Sequence, residues 1–200
     1  MGRSSQQQAS ENRAKIVETA SRMFRELGVE NVSVSDVMAA NGMTVGGFYK
    51  QFKSKDALVA EAFSLAFDQS LDAWDDVYQQ ADAKAENRAC ALVRQYLRNR
   101  SAKRRCPVLA FAPHVIHGGA DEASVDAYKA GTKDLFDKFI SELKGPTAAH
   151  TVSDAAERDA MVIFAAMVGA RAIAQAIGNE PWVEAIEAAV NQAANEQGHR

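Results

Sequence analysis

The run Thr44-Val45-Gly46-Gly47-Phe48-Tyr49-Lys50 sets a hydroxyl, a branched methyl pair, two glycines, a phenol and an ammonium within two helical turns. These are the groups that contact with a DNA duplex requires. Thr44 can hydrogen-bond a base edge or a phosphate, and Val45 can touch a thymine methyl. Small residues at 44 to 47 let the backbone approach the groove, and Tyr49 and Lys50, one turn later, can reach phosphate oxygens. Lys55 falls in the first turn of the following helix, whose N-terminal amides also favour an anion. Phe48 and Phe52 are expected in the core.

Two further groups could do chemistry. Cys106 follows Lys103-Arg104-Arg105, and cations near a thiol raise its thiolate fraction, which would suit a redox or electrophile switch; the alternative is an inert cysteine at a helix start. Cys90 is expected to be packing. His114 and His117 stand at i, i+3, yet no third ligand has a suitable spacing, and His150 and His199 fall in an expected loop and tail. No metal and no other cofactor is therefore expected. Nucleophile elbow, P-loop, dinucleotide fingerprint and zinc-protease helix are all absent from the sequence, so an enzyme is not expected. The remaining rival is a helical protein-interaction module without DNA function.

The elements that must position these groups are helices. Apolar residues at Ile16, Val17, Ala20, Met23, Phe24 and Leu27 follow helical spacing from Asn12 to Leu27, and Gly28 is a helix stop. Val32-Ser33 then reads as a staple and N-cap, with Asp36 at the capping-box position of a short helix to Ala40. Asn41-Gly42-Met43 is a tight turn, Thr44 caps a third helix and Ser54 a fourth. Helix, short helix, turn, short helix is helix-turn-helix punctuation. Further helices are expected over 56–79, 85–102, 106–117 (broken or kinked by Pro107 and Pro113), 121–143, 155–177 (capped by Ser153 or Asp154) and 181–197, with residues 1–11 a flexible tail.

Composition agrees with an all-α globular chain: 200 residues, 47% hydrophobic, 24% charged and four prolines. Net charge is −3, but unevenly spread. Residues 1–55 hold eight Lys/Arg against five acids, and the rest fifteen against twenty-one. A basic end on an acidic body suits a chain with one end facing phosphate. The first eleven residues lack an apolar secretory core, the apolar run Ala160–Ala170 is too short for a bilayer, and two cysteines make no disulfide framework. A cytoplasmic protein without a membrane partner is expected.

The stretch from Ile16 to Leu58 resembles the amino-terminal domain of the TetR family of regulators. The resemblance is densest over Thr44–Leu58: a small-residue recognition helix, an aromatic-Tyr pair, a basic residue, Phe, then Ser-Lys-acid-x-Leu. Lys50 stands where many members carry His. The resemblance implies DNA contacts by Ser33, Thr44, Val45, Gly47, Tyr49, Lys50 and Lys55. It implies a helix-turn-helix domain over 1–55 and an effector-binding and dimerisation domain over 56–200. An effector pocket among the middle helices would draw on Phe63, Phe67, Trp74, Tyr78, Tyr96, Phe111, His114 and Tyr128, although aromatics at helical spacing are as readily plain core. The helices at 155–177 and 181–197 resemble the family's dimer interface. The function implied is repression from a palindromic operator by a homodimer that a small-molecule effector releases, with switching through Cys106 as the alternative.

Overall fold

The computed structural model describes residues 2–98, 105–144 and 154–198. Among them every regular element is a helix: α1 (Gly2–Leu27), α2 (Val34–Ala40), α3 (Val45–Phe48), α4 (Lys55–Ala83), α5 (Arg88–Arg98), α6 (Pro107–Ile116), α7 (Glu122–Lys144), α8 (Asp154–Ile177) and α9 (Pro181–Gly198). The chain packs as two compact units, Met1–Ser70 with Ser101–Thr132, and Leu71–Arg100 with Lys133–Arg200. This division by packing differs from one at residue 55, because the first part of α4, α6 and the first part of α7 pack with the amino-terminal helices.

In the first unit the apolar stripe of α1 buries Ile16, Val17, Ala20 and Phe24, as its spacing requires. Gly28, at φ +87, ends α1 with its amide on the Phe24 carbonyl at 2.9 Å. Arg25 ties α1 to α4 through the Gln69 side chain at 2.9 Å. The expected flexible tail is instead helical from Gly2. Gln and Ala are good helix formers, and Gln7 and Gln8 bond Glu11 and Asn12 one turn on, at 3.1 and 3.2 Å. No apolar period marks those turns, so the pattern alone gave no helix there.

α6 is also one continuous helix, not a broken one, although Pro113 lies inside it. The ring is accommodated within ten residues, and Gly118 at φ +73 closes the end. Phe111 stacks on Phe63 of α4 with centroids 3.9 Å apart, and Phe67 meets Tyr128 of α7 edge-on at 5.9 Å. α7 comes so close to α4 that a Cβ on Gly131 would lie 2.1 Å from Cγ of Phe67.

In the second unit α8 packs against α5 and α9. α5 begins at Arg88 rather than 85, because Ala85 takes φ +53 in the turn that ends α4, and Asn87 caps the Cys90 amide at 3.0 Å. Arg88 bonds Asp82 and Glu142, while Phe164 of α8 meets Phe136 and Phe139 of α7. Burial pushes the Cys90 thiol up, and its sulfur donates to the Ala194 carbonyl. Over Glu157–Ile177, α8 is long and apolar enough to cross a membrane, with mean hydropathy 1.8. The uninterrupted apolar run Ala160–Ala170 within it ends at Arg171, which is 3% exposed. The expected cap at Ser153 lies outside the described residues.

Two substitutions should move stability in opposite directions. Gly131→Ala, overpacked against Phe67, should cost about 2 kcal/mol. Ala85→Gly, relieving a left-handed alanine, should add about 1 kcal/mol. Thermal unfolding of the intact chain measures both.

Candidate nucleic-acid interface

A serine opens the motif by closing a reciprocal cap. Ser33 Oγ accepts from the Asp36 amide at 3.1 Å, while the Asp36 carboxylate accepts from the Ser33 amide at 2.8 Å and from its hydroxyl at 2.6 Å. These bonds favour the charged carboxylate and hold Asp36 below the usual carboxylate range. α2 buries Val37 and Met38, then stops at Asn41. Gly42 takes φ +66, the left-handed turn that the Asn-Gly pair predicts, and the Met43 amide returns to the Met38 carbonyl at 2.9 Å. Thr19 of α1 bonds the Asn41 side chain at 3.2 Å, fixing the turn to the scaffold.

α3 is a single turn of four residues. Its one buried side chain is Phe48, fully enclosed, stacked on Phe52 at 5.2 Å and met edge-on by Tyr49 at 5.2 Å. Everything else on the turn faces outward or lies at its edge. Val45 is 41% and Tyr49 65% exposed, and Thr44, Gly46 and Lys50 are exposed with them. Thr44 stands at the N-cap position but makes no side-chain cap bond, contrary to expectation, so its hydroxyl is not spent on the helix. A Cβ on Gly46 would meet nothing within 4 Å, whereas one on Gly47 would touch Met38 at 3.6 Å. The bare backbone thus faces outward at Gly46, and Gly47 rests on α2.

Five groups on or beside this turn are therefore exposed: a hydroxyl, a branched apolar side chain, bare backbone, a phenol and an ammonium. The other residues taken from the sequence stand differently. Ser33 is exposed but occupied in its cap. Lys55 is half-buried and donates to the Val29 carbonyl at 2.8 Å, tying the start of α4 to the loop after α1. An ammonium carries three N–H groups, so that bond leaves others for an anion. Ser54 caps α4 as expected, accepting from the Ala57 amide at 3.1 Å.

The eight aromatic and histidine candidates for an effector pocket fall into two sets. Phe63, Phe67, Phe111, His114 and Tyr128 belong to the first unit, and Trp74, Tyr78 and Tyr96 to the second. In the first set the polar atoms are engaged: Tyr128 donates to the Val108 carbonyl at 2.9 Å, and His114 Nδ1 lies 2.5 Å from Glu30 Oε1. In the second, Tyr78 is 2% exposed with its hydroxyl unpaired, and burial raises its pKa strongly. An open groove of about 370 Å³ between α1, α4 and α7 is lined by Val17, Ala60, Leu65 and Ala127 among others, and by none of the eight. Cys106 is the N-cap residue of α6, while Lys103 and Arg104 beside it lie outside the described residues. His150 and His199 lie outside them too. No group of three metal-ligating side chains occurs among the described residues.

Two residues that organise this region were not singled out from the sequence. Glu30, in the loop between α1 and α2, reaches His114 of α6. Arg13 reaches Gln51 and Glu61 from a position on the apolar stripe of α1. A cation on an apolar stripe was a visible signal in the second case; no local signal marked Glu30.

Residues 16–62 match the bacterial regulatory proteins of the tetR family. The regulator AcrR of Shigella flexneri is 36% identical over 66 residues, 33% of this chain and 31% of that protein, so the match spans under a third of its relative. Two solved structures share the fold over nearly the whole chain. A TetR transcriptional regulator from Chloroflexus aurantiacus has a TM-score of 0.74 and 22% identity, covering 96% of this chain and 98% of its own. E. coli NemR in its reduced form has a TM-score of 0.73 and 17% identity, covering 91% and 96%.

The capping box sets a test. Ser33→Ala should cost about 1 kcal/mol. Because the Asp36 pKa is depressed by folding, its contribution is present above the ordinary carboxylate pKa and is lost as pH falls through the lower folded value. Asp36→Asn should therefore flatten the acid limb of stability against pH. A matching, steep acid limb in that variant would assign the effect to other carboxylates, of which Asp121 at the start of α7, similarly held down by Ser124, is the first to test. Motif and relatives agree that residues 16–62 carry the domain of the tetR family of bacterial regulatory proteins, on a chain that shares its fold with a TetR regulator of known structure.

Proposed function

We propose that this chain is a cytoplasmic transcriptional repressor that binds a palindromic DNA operator as a homodimer and is released by a small-molecule effector. The observation that carries the reading is the outward face of α3. Thr44, Val45, Gly46, Tyr49 and Lys50 are exposed together over a buried Phe48, on a turn short enough to enter a major groove end-on. In this reading Thr44 and Val45 meet base edges, and Gly46 and Gly47 admit the backbone. Tyr49, Lys50, Ser33 and a remaining N–H of Lys55 meet phosphates.

Dimerisation is proposed through α8 and α9. Met161, Val162, Ile177 and Trp182 are between 41% and 66% exposed, and a Cβ on Gly169 would meet nothing within 4 Å. Apolar side chains grouped on the helices of one unit suit a two-fold contact with a second copy. The two recognition turns would then read half-sites about 34–36 Å apart, or a multiple of that. Residues 1–55 would serve DNA and 56–200 effector and partner subunit. The effector would work by preferring a conformer whose half-site spacing is wrong.

A second reading makes Cys106 the switch. It stands at the head of α6, directly after Arg105, and a fold neighbour, NemR, is described in a reduced form. Loss of oxidant-induced DNA release in Cys106→Ser would support it, and a wild type indifferent to oxidant would end it.

The test of the main reading is a salt-titrated binding assay on promoter DNA flanking the chain's own gene. Sequence-preferring binding should weaken steeply with salt, and Lys50→Ala should lower the slope of log K against log salt by about 1. Tyr49→Ala should cost about tenfold in affinity, the size of a lost hydrogen bond. Gly46→Ala should leave the fold intact and still weaken binding. Weak binding that ignores DNA sequence and all three substitutions would leave a protein-interaction module as the better account.

A further inference from the structure

We infer that Arg13 is a positioning residue for DNA recognition, fixing the orientation of α3 without itself touching the duplex. The inference rests on reading α3 as the recognition helix. Arg13 sits one turn before Ile16 and Val17 on the same face of α1, where spacing calls for an apolar side chain. A guanidinium there must be matched by partners, and it has three. Nη1 donates to the Gln51 carbonyl, just beyond the end of α3, where helix-end carbonyls lack intrahelical donors. Nη2 pairs with the Glu61 carboxylate of α4. The guanidinium carbon lies over the Phe52 ring, 4.1 Å from its centroid.

Phe52 stacks on Phe48 with planes 21° apart, and Phe48 carries the edge contact with Tyr49. A continuous line of contact thus runs from Arg13 through two buried rings to a residue on the DNA-facing side. α3, with four residues, is too short to hold a direction of its own. Successive residues differ by about 100° around a helix, so a modest rotation of this turn would swing Thr44 and Val45 off their base edges. One planar group supplies two divergent N–H bonds and a face for the ring. Lysine has neither the fork nor the plane.

A direct phosphate contact is the competing role, and the two roles differ in salt dependence. Nη1 and Nη2 of Arg13 each already donate to a partner within the fold, and the Glu61 carboxylate beside them repels phosphate. Arg13→Gln in the full chain should lose about tenfold or more in operator affinity, the size of a lost charge-assisted bond. The slope of log K against log salt should stay at the wild-type value, whereas Lys50→Ala lowers it by about 1. Preference for the operator over a base-substituted operator should fall as well, since misplaced contacts lose specificity, and Arg13→Lys should restore only part of the loss. Where Arg13→Gln melts below the assay temperature, Glu61→Ala, which removes the acceptor of one arm of the fork, should show the same pattern at smaller size. Unchanged affinity in Arg13→Gln, or a slope lower by about 1, overturns this inference and leaves the reading of α3 standing. Failure of the wild type to bind any DNA overturns that reading, and this inference with it.

Discussion

The burial of Phe48 is the contact on which the rest of the interface depends. One helical turn has almost no stability of its own, because nucleation fixes several dihedrals for a single hydrogen bond. α3 exists because Phe48 is fully enclosed, with Phe52 stacked on it and Met38 of α2 beneath Gly47. The surrounding bonds fix the elements on either side of it. The capping box sets where α2 begins, the left-handed Gly42 sets the turn angle, and Thr19 and Lys55 tie the turn and the start of α4 back to α1 and its following loop. The anchor is apolar and inward, and the exposed groups lie on either side of it between Thr44 and Lys50.

Where local rules act alone, the sequence was readable to the residue. The Ser33 cap, the Asn41-Gly42 turn, the Ser54 cap and the stop at Gly28 depend on side chains adjacent in the chain, and all four stand as expected. Reading failed where the deciding partner was distant or the signal was not a period. The first turns of α1 are held by good helix formers with no apolar stripe. Pro113 fits inside α6 although proline ordinarily ends a helix. Thr44 has the identity of a cap and leaves the cap bond unmade. Lys55 was legible as a cation near an anion site, yet its bond to Val29 spans 26 positions of sequence and no pattern encodes it.

The aromatic candidates show the same limit in another form. Spacing placed them on inward faces, and six are buried, Tyr96 and Tyr128 being half-buried. Spacing could not say which would share a compact unit. Phe63 and Phe111 lie face to face at 3.9 Å, so a ligand entering between them must separate them, whereas the unpaired hydroxyl of Tyr78 offers a donor already stripped of water. Packing and recognition compete for the same rings, and only their polar atoms tell the two uses apart.

Open space around Gly46 has a consequence for how such a protein changes over generations. A Cβ at that position would meet nothing within 4 Å, and Val45 and Lys50 are likewise exposed. Mutations there are close to neutral for folding, so the outward surface of α3 can drift widely while Phe48 stays fixed. A duplicated copy could change this surface one residue at a time, each intermediate still folded. The separation of a buried anchor from an exposed surface within a single turn leaves that surface free to evolve.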